Sequence, residues 1–156
     1  MKIVAFNKKL HTNYQLSEKL EAGIVLCGSE IKSIRAKKIN INDAYAKLLL
    51  DKNKKPGLWL VNAHISKYKD SIEKNLDPER SRKLLVKSSQ IKSLIGKLQS
   101  GKSLVPTKVY LKNNLCKVEL ALSVALKKYD KREIIKKRES QRRLSQLTRQ
   151  RIKANP

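Results

Sequence analysis

The sequence predicts a mainly β fold: a small barrel of antiparallel strands, one amphipathic helix to plug an end, and a basic C-terminal tail without structure of its own. Three observations predict it. From Val4 to about Lys128 most apolar residues alternate with polar ones, the two-residue period of a half-buried strand. Polar clusters containing Gly, Pro, Asn and Asp punctuate those runs. From Lys127 to Pro156, twelve residues are Lys or Arg, only Asp130, Glu133 and Glu139 are acidic, and apolar residues are too sparse to cover a core. At 156 residues the chain suits one domain with appendages, residues 1–126 followed by a tail over 127–156.

Taken in order, Tyr14 to Leu20 is a strand leading into EAGIVLCGSEIKSIR, residues 21–35, which reads as a strand broken by Gly23 and Gly28. NIND, residues 40–43, suits a short helical turn. Ala44 to Leu50 alternates into the Lys-rich turn DKNKKPG, and LWLVNAHI then returns with Trp59, Val61, Ala63 and Ile65 on one face, Asn62 and His64 on the other. NLDPERSR is a polar loop around Pro78. In SSQIKSLIGKLQSGK, Ile91, Leu94, Ile95 and Leu98 fall at helical spacing, Ser88 or Ser89 can cap the start, and Gly101 can close the end. Pro106 marks a strand entrance. Val109 and Leu111 then alternate with Lys108, Tyr110 and Lys112, and Asn113-Asn114 turns the chain into Cys116, Val118, Leu120 and Leu122. The tail is rich in helix formers with little reason to fold alone, so the expectation is disorder in the free chain and helix on RNA. The alternative is a surface helix packed by Ile134, Leu144 and Leu147, whose spacing makes no continuous stripe.

Charge narrows the function. Lys and Arg number 37 against 13 Asp and Glu, a net +24 spread from Lys2 to Lys153. A compact body so charged repels itself and calls for a polyanion. No apolar run approaches the roughly 20 residues of a membrane span, and MKIVAFNKKLH lacks the apolar length and cleavage site of a signal peptide. A cytoplasmic protein is expected. Cys27 and Cys116 lie far apart in apolar segments without metal-ligand spacing, the pattern of reduced, buried thiols. With only Phe6, Trp59 and five tyrosines there is little material for stacking successive unpaired bases. Folded RNA, recognised through backbone, shape and 2′-hydroxyls, fits better.

Catalysis finds little support. His11 and His64 could serve as base and acid of a ribonuclease only if the fold joined them. No P-loop, GxGxxG, CxxC pair or HExxH is present, and Glu18 and Glu21, three apart in a strand, point to opposite faces. No cofactor or metal is expected. Lys8 and Lys9 of NKK, with Lys32, Arg35, Lys37 and Lys38, can neutralise phosphates, and binding of that kind weakens steeply with salt.

EAGIVLCGSEIKSIR also resembles the signature of the SsrA-binding protein (SmpB) family, in which Glu-Ala-Gly-Ile and then Gly-x-Glu-Val-Lys-Ser-Leu-Arg recur with this spacing. NKK and Tyr14, NINDAY at 40–45, NAHISKY at 62–68, RKLLV at 82–86, LVPTKVY at 104–110, CKVELAL at 116–122 and DKREIIKKRE at 130–139 follow in family order. The resemblance implies a closed OB-like antiparallel β-barrel with flanking short helices and a tail unstructured in the free protein. It implies a noncatalytic adaptor that binds the tRNA-like domain of transfer-messenger RNA at its elbow. With elongation factor Tu in the delivery complex, the adaptor brings that RNA to stalled 70S ribosomes. The tail then lies in the small-subunit decoding centre and message channel. Residue by residue, Asn7, Lys8 and Glu21 match RNA contacts and Leu85 a position important for binding; Lys9, Lys32, Arg35, Lys127 and Lys128 complete the expected RNA-binding set. Asp130, Lys131, Arg132, Lys136, Lys137, Arg138 and Arg142 are the expected ribosome-contacting tail residues.

A carboxylate at Glu21 can accept hydrogen bonds from base amino groups or ribose hydroxyls, which a lysine cannot. An internal salt bridge is the alternative for Glu21, core packing the alternative for Leu85, and Glu30 is assigned a structural role. Two departures fall near the tail: Ala125-Leu126-Lys127 stands where the family usually has Gly-Lys-Lys, and Ser140 where it has tryptophan. A ribosomal or general RNA-binding structural protein is the competing reading.

Overall fold

The computed structural model describes residues 1–10, 14–69, 76–125 and 128–154. Its backbone is organised by the hairpin foreseen at Asn113-Asn114. Both asparagines adopt positive φ, 50° and 61°, the condition for a tight turn whose twist matches its strands. They join β8, Ser103–Lys112, to β9, Leu115–Ala125, paired from Lys112↔Leu115 to Ser103↔Ser123. Val109, Cys116, Val118, Leu120 and Leu122 face inward and are buried, as the alternation requires. Burying each such side chain contributes on the order of 1.5–3 kcal/mol.

The remaining strands are β1, Lys2–Phe6; β2, Tyr14–Ile24; β3, Ile39–Asn40; β4, Tyr45–Leu50; β5, Pro56–Val61; β6, His64–Ile65; and β7, Arg82–Leu85. β3 and β6 form a separate pair. The other pairings run in a ring, β8–β4–β5–β7–β2–β9 and back to β8, with β1 added to β8. One edge of β8 lies along β9, and the other is shared. Its second half, Lys108 to Leu111, pairs with β1, so β4 meets it through the single pair Ala46↔Leu104. A cavity of about 600 Å³ lies along that seam, walled by Ala46, Leu48, Leu98 and Leu104.

Three helices complete the described residues: α1, Gly28–Arg35; α2, Ser88–Gln99; and α3, Lys128–Ala154. α2 is the helix its periodicity predicts. Leu94 is buried in the core, and Gly101, φ +82°, ends the turn after it in a conformation that suits glycine.

α1 corrects the reading of residues 21–35 as one broken strand, because the strand ends at Ile24. Glu30, the third helical residue, accepts a hydrogen bond from the Cys27 N–H at 2.9 Å and so caps the helix start. The same carboxylate takes Arg80 Nε and Nη2 at 2.9 and 2.6 Å and Arg82 Nε at 2.8 Å. Arg82, wholly buried, donates to the carbonyls of Ala63 at 2.6 Å and Pro78 at 2.9 Å. Glu30 is structural, as expected, but through a buried ion network. Burial opposes its ionisation; Arg80, the Cys27 N–H and Arg82 outweigh burial and hold it below the usual carboxylate range.

Other expectations shift locally. Leu58 and Leu60, rather than Trp59 and Val61, face the core, because Asn62 at φ 56° interrupts the alternation before Ala63 and Ile65, which are buried. Pro106 sits inside β8, where the register shifts before Lys108, a bulge that tolerates its missing N–H. NIND begins in β3 and continues as a turn, not a helix. Cys116 is buried, which pushes its thiol up to about 12, whereas Cys27 is half-buried at the start of α1; both are free. The tail, expected to lack structure in the free chain, is one 27-residue helix, α3. Residues of good helix propensity favour it, and of the three residues expected to pack a surface helix Leu144 and Leu147 stay exposed while Ile134 is half-buried.

Candidate nucleic-acid interface

Strand register assembles a surface from residues far apart in sequence. On the outer face of β1–β8–β9–β2, Phe6 stands opposite Lys108, Lys108 opposite Glu119, and Glu119 opposite Glu21. The next row runs Ile3, Tyr110, Lys117, Gly23, Leu85, reaching β7. Three strand spacings, about 14 Å, separate Phe6 from Glu21.

Leu85 is 58% exposed, which removes core packing as its role. It lies over Gly23: a Cβ at Gly23 would stand 3.4 Å from Leu85 Cβ and 3.5 Å from Cδ1. Glycine there lets the leucine settle on the sheet with its outer side open. Val25, 44% exposed, extends the apolar spot.

Glu119 and Glu21 are directly opposed, an unfavourable arrangement for like charges unless cations intervene. The cations go to Glu119: Lys108 Nζ lies 2.9 Å from Oε2, Lys19 Nζ 3.4 Å from Oε1, and Thr107 Oγ1 donates to Oε1 at 2.7 Å. Burial alone would raise its pKa; Lys108, Thr107 and Lys19 together hold it below the usual range. Glu21 is exposed and makes no ion pair among the described residues, so the internal salt bridge considered for it is absent there.

Asn7, at the end of β1, is buried, and its side-chain N–H groups donate to Ile41 O at 3.0 Å and Pro106 O at 3.1 Å. Its Oδ1 accepts from the Lys9 N–H at 3.1 Å. Asn7 therefore holds Lys8 and Lys9 in place and has no side-chain N–H left for RNA. Lys8 is exposed, while Lys9 pairs with Asp43 at 2.7 Å.

Lys32 and Arg35 are exposed on α1, beyond the Ile24 end of β2, and the Lys32 ammonium lies 5.3 Å from the centre of the Tyr68 ring. Register places them away from the tail, since Gly23 pairs with Lys117 but Tyr14 with Ala125, at the opposite end of β9. Lys127 and His11 lie outside the described residues, so His64 alone of the histidines can be placed; it is half-buried opposite Asn40. Lys128, Asp130 and Lys131 fall in the first turn of α3. Arg132, Lys136, Lys137, Arg138 and Arg142 follow on it, all exposed.

Lys108, Tyr110, Lys117 and Glu119 were not singled out from sequence as site residues. Alternation had placed them on the outer face of the last hairpin; only the pairing of β9 with β2, invisible in sequence, brings them beside Glu21.

Residues 4–150 match the family model described as SmpB protein. The chain belongs to the SmpB family. Curated SsrA-binding proteins agree: that of Geobacillus sp. (strain WCH70) is 47% identical over 153 residues, covering 97% of this chain and 96% of the relative. That of Halothermothrix orenii is 45% identical over 152 residues, covering 97% and 95%. A solved SmpB-related structure, described as "tmRNA-SmpB: a journey to the center of the bacterial ribosome", superposes with a TM-score of 0.64 at 34% identity, covering 84% of this chain and 93% of its own.

Proposed function

We propose that this SmpB-family chain is an RNA-binding adaptor of trans-translation. It binds the tRNA-like domain of transfer-messenger RNA through the Glu21–Leu85 face and delivers it to stalled 70S ribosomes for rescue and tagging of incomplete proteins, catalysing no reaction itself. The observation that carries the reading is an exposed carboxylate that holds no cation among the described residues and an exposed leucine, set together on a chain of net charge +24. Phosphate attraction alone needs neither; reading base or ribose groups needs an acceptor and an apolar contact. The names of the relatives and of the solved structure point to the same partners.

Within this reading the strand ring is the closed OB-like barrel, residues 1–126. Asn7, Lys8, Lys9, Lys32, Arg35, Lys127 and Lys128 bind or position RNA around it. The tail, 127–156, whose described residues form α3, lies as a helix in the decoding centre and message channel, and elongation factor Tu joins the delivery complex of this cytoplasmic protein. The test is competition binding of the full chain to the tRNA-like domain against ordinary tRNA and a random duplex, over rising salt. The tRNA-like domain should keep its preference as salt rises, and Leu85→Ala should lose most of it while melting as the parent does. Equal binding to all three RNAs, erased together by salt, would make the chain a general RNA-coating or ribosomal protein.

A further inference from the structure

Tyr110 is an anomaly of the outer face. It occupies the row of Lys117 and Gly23, yet it is 1% exposed, and its hydroxyl oxygen is buried without a hydrogen bond of good geometry. Buried polar groups are nearly always satisfied, so an incomplete one beside a binding surface indicates a partner still to be engaged. Burial first, then a loose hydrogen-bonding approach to the Glu21 carboxylate and the charges of Glu21 and Glu119, push the phenol up to about 12, so it keeps its proton and Glu21 is the acceptor it faces.

The two carboxylates are not equivalent acceptors. Glu119 already receives Thr107 and lies against Lys19 on one oxygen, and it holds Lys108 on the other. Glu21, opposite it, holds no cation among the described residues. Of the two carboxylates near the phenol, Glu21 is therefore the acceptor left unsaturated among the described residues.

We propose that Tyr110 is a positioning residue: in the RNA complex its hydroxyl donates to one oxygen of Glu21 and aims the other at the amino or hydroxyl donors of a bound nucleotide. This rests on Glu21 being the RNA-reading acceptor proposed above. A carboxylate on an exposed strand position otherwise rotates freely, and the phenol beneath it removes that freedom at the moment of binding.

The test is a double-mutant cycle on the full chain, titrated with a transcript of the tRNA-like domain and, separately, a random duplex. Tyr110→Phe and Glu21→Gln should each weaken binding to the tRNA-like domain roughly tenfold, the size of one hydrogen bond to a charged group. The double variant should be no weaker than either single one, because the two act as a unit. Glu21→Asp, which keeps the charge but withdraws it from the phenol, should lose a similar factor, and duplex binding, which follows charge alone, should weaken in none of the four. Tyr110→Phe or Glu21→Asp binding like the parent, or losses that multiply to about a hundredfold, would overturn the coupling. A parent chain with no preference for the tRNA-like domain would instead overturn the function on which it rests.

Discussion

Single residues carry two kinds of acid in this cationic chain. Glu30 is inside, locked by Arg80, Arg82 and the Cys27 N–H, while Glu21 is outside and holds no cation among the described residues. Because the folded-state pKa of Glu30 is depressed, its contribution to stability is complete above the ordinary carboxylate value of 4.5 and disappears as pH falls through the lowered one. Glu30→Gln should therefore cost about 3 kcal/mol at pH 7, the usual penalty for unpairing a buried arginine. At an acid pH below 4.5 the gap should be smaller, and it should close as pH passes through the lowered value, where the parent carries a neutral acid as well. Urea unfolding at both pH values measures this; a gap that stays constant would show that charge at Glu30 is not what holds α1. The sequence assigned Glu30 a structural role but could not say through what, for Arg80 and Arg82 lie 50 and 52 residues away. Asn7 shows the converse: its matching motif suggests an RNA contact, whereas in the fold both of its side-chain N–H groups are engaged by backbone carbonyls.

At the scale of elements, what could be read from sequence was what local chemistry decides. The Asn113-Asn114 turn needs two residues that tolerate positive φ, and α2 declares itself by four apolar residues on one stripe. α1 was missed because eight residues give only two turns of periodicity, and a cysteine stands where a Ser, Thr, Asp or Asn cap would have signalled it. Glu30 three residues on, with Ile31 and Ile34 spaced by three, was the available clue. α3 poses the opposite problem, a long helix with little to bury. Deleting residues 130–156 should leave affinity for the tRNA-like domain within about twofold while abolishing tagging on a message without a stop codon. Lys137→Pro, which removes roughly 3 kcal/mol of helix in its interior, should impair tagging without touching affinity. Binding assays beside a translation assay separate the two; loss of the RNA complex on truncation would refute this division between body and tail.

Across the whole molecule, β9 sets the spacing of these parts. From Lys117, level with Leu85, to Ala125, where the tail departs, it spans roughly 26 Å at the rise of an extended strand. α3 adds about 40 Å at the rise of a helix. The reading face and the tail can thus be occupied together without competing for space. The ring that holds β9 in place is not uniform, however, since β4 joins β8 through Ala46↔Leu104 alone. That single pair is a latch. Once it opens, two unpaired strand edges face outward, the geometry by which one copy of a protein adds onto another. Mutual repulsion at net charge +24 keeps copies apart, and salt screens it. Light scattering on concentrated, RNA-free protein should therefore show self-association rising with ionic strength, and a fall would exclude the latch as its origin. The condition that strips nonspecific RNA from the surface is the same one that leaves the ring least guarded against its own kind.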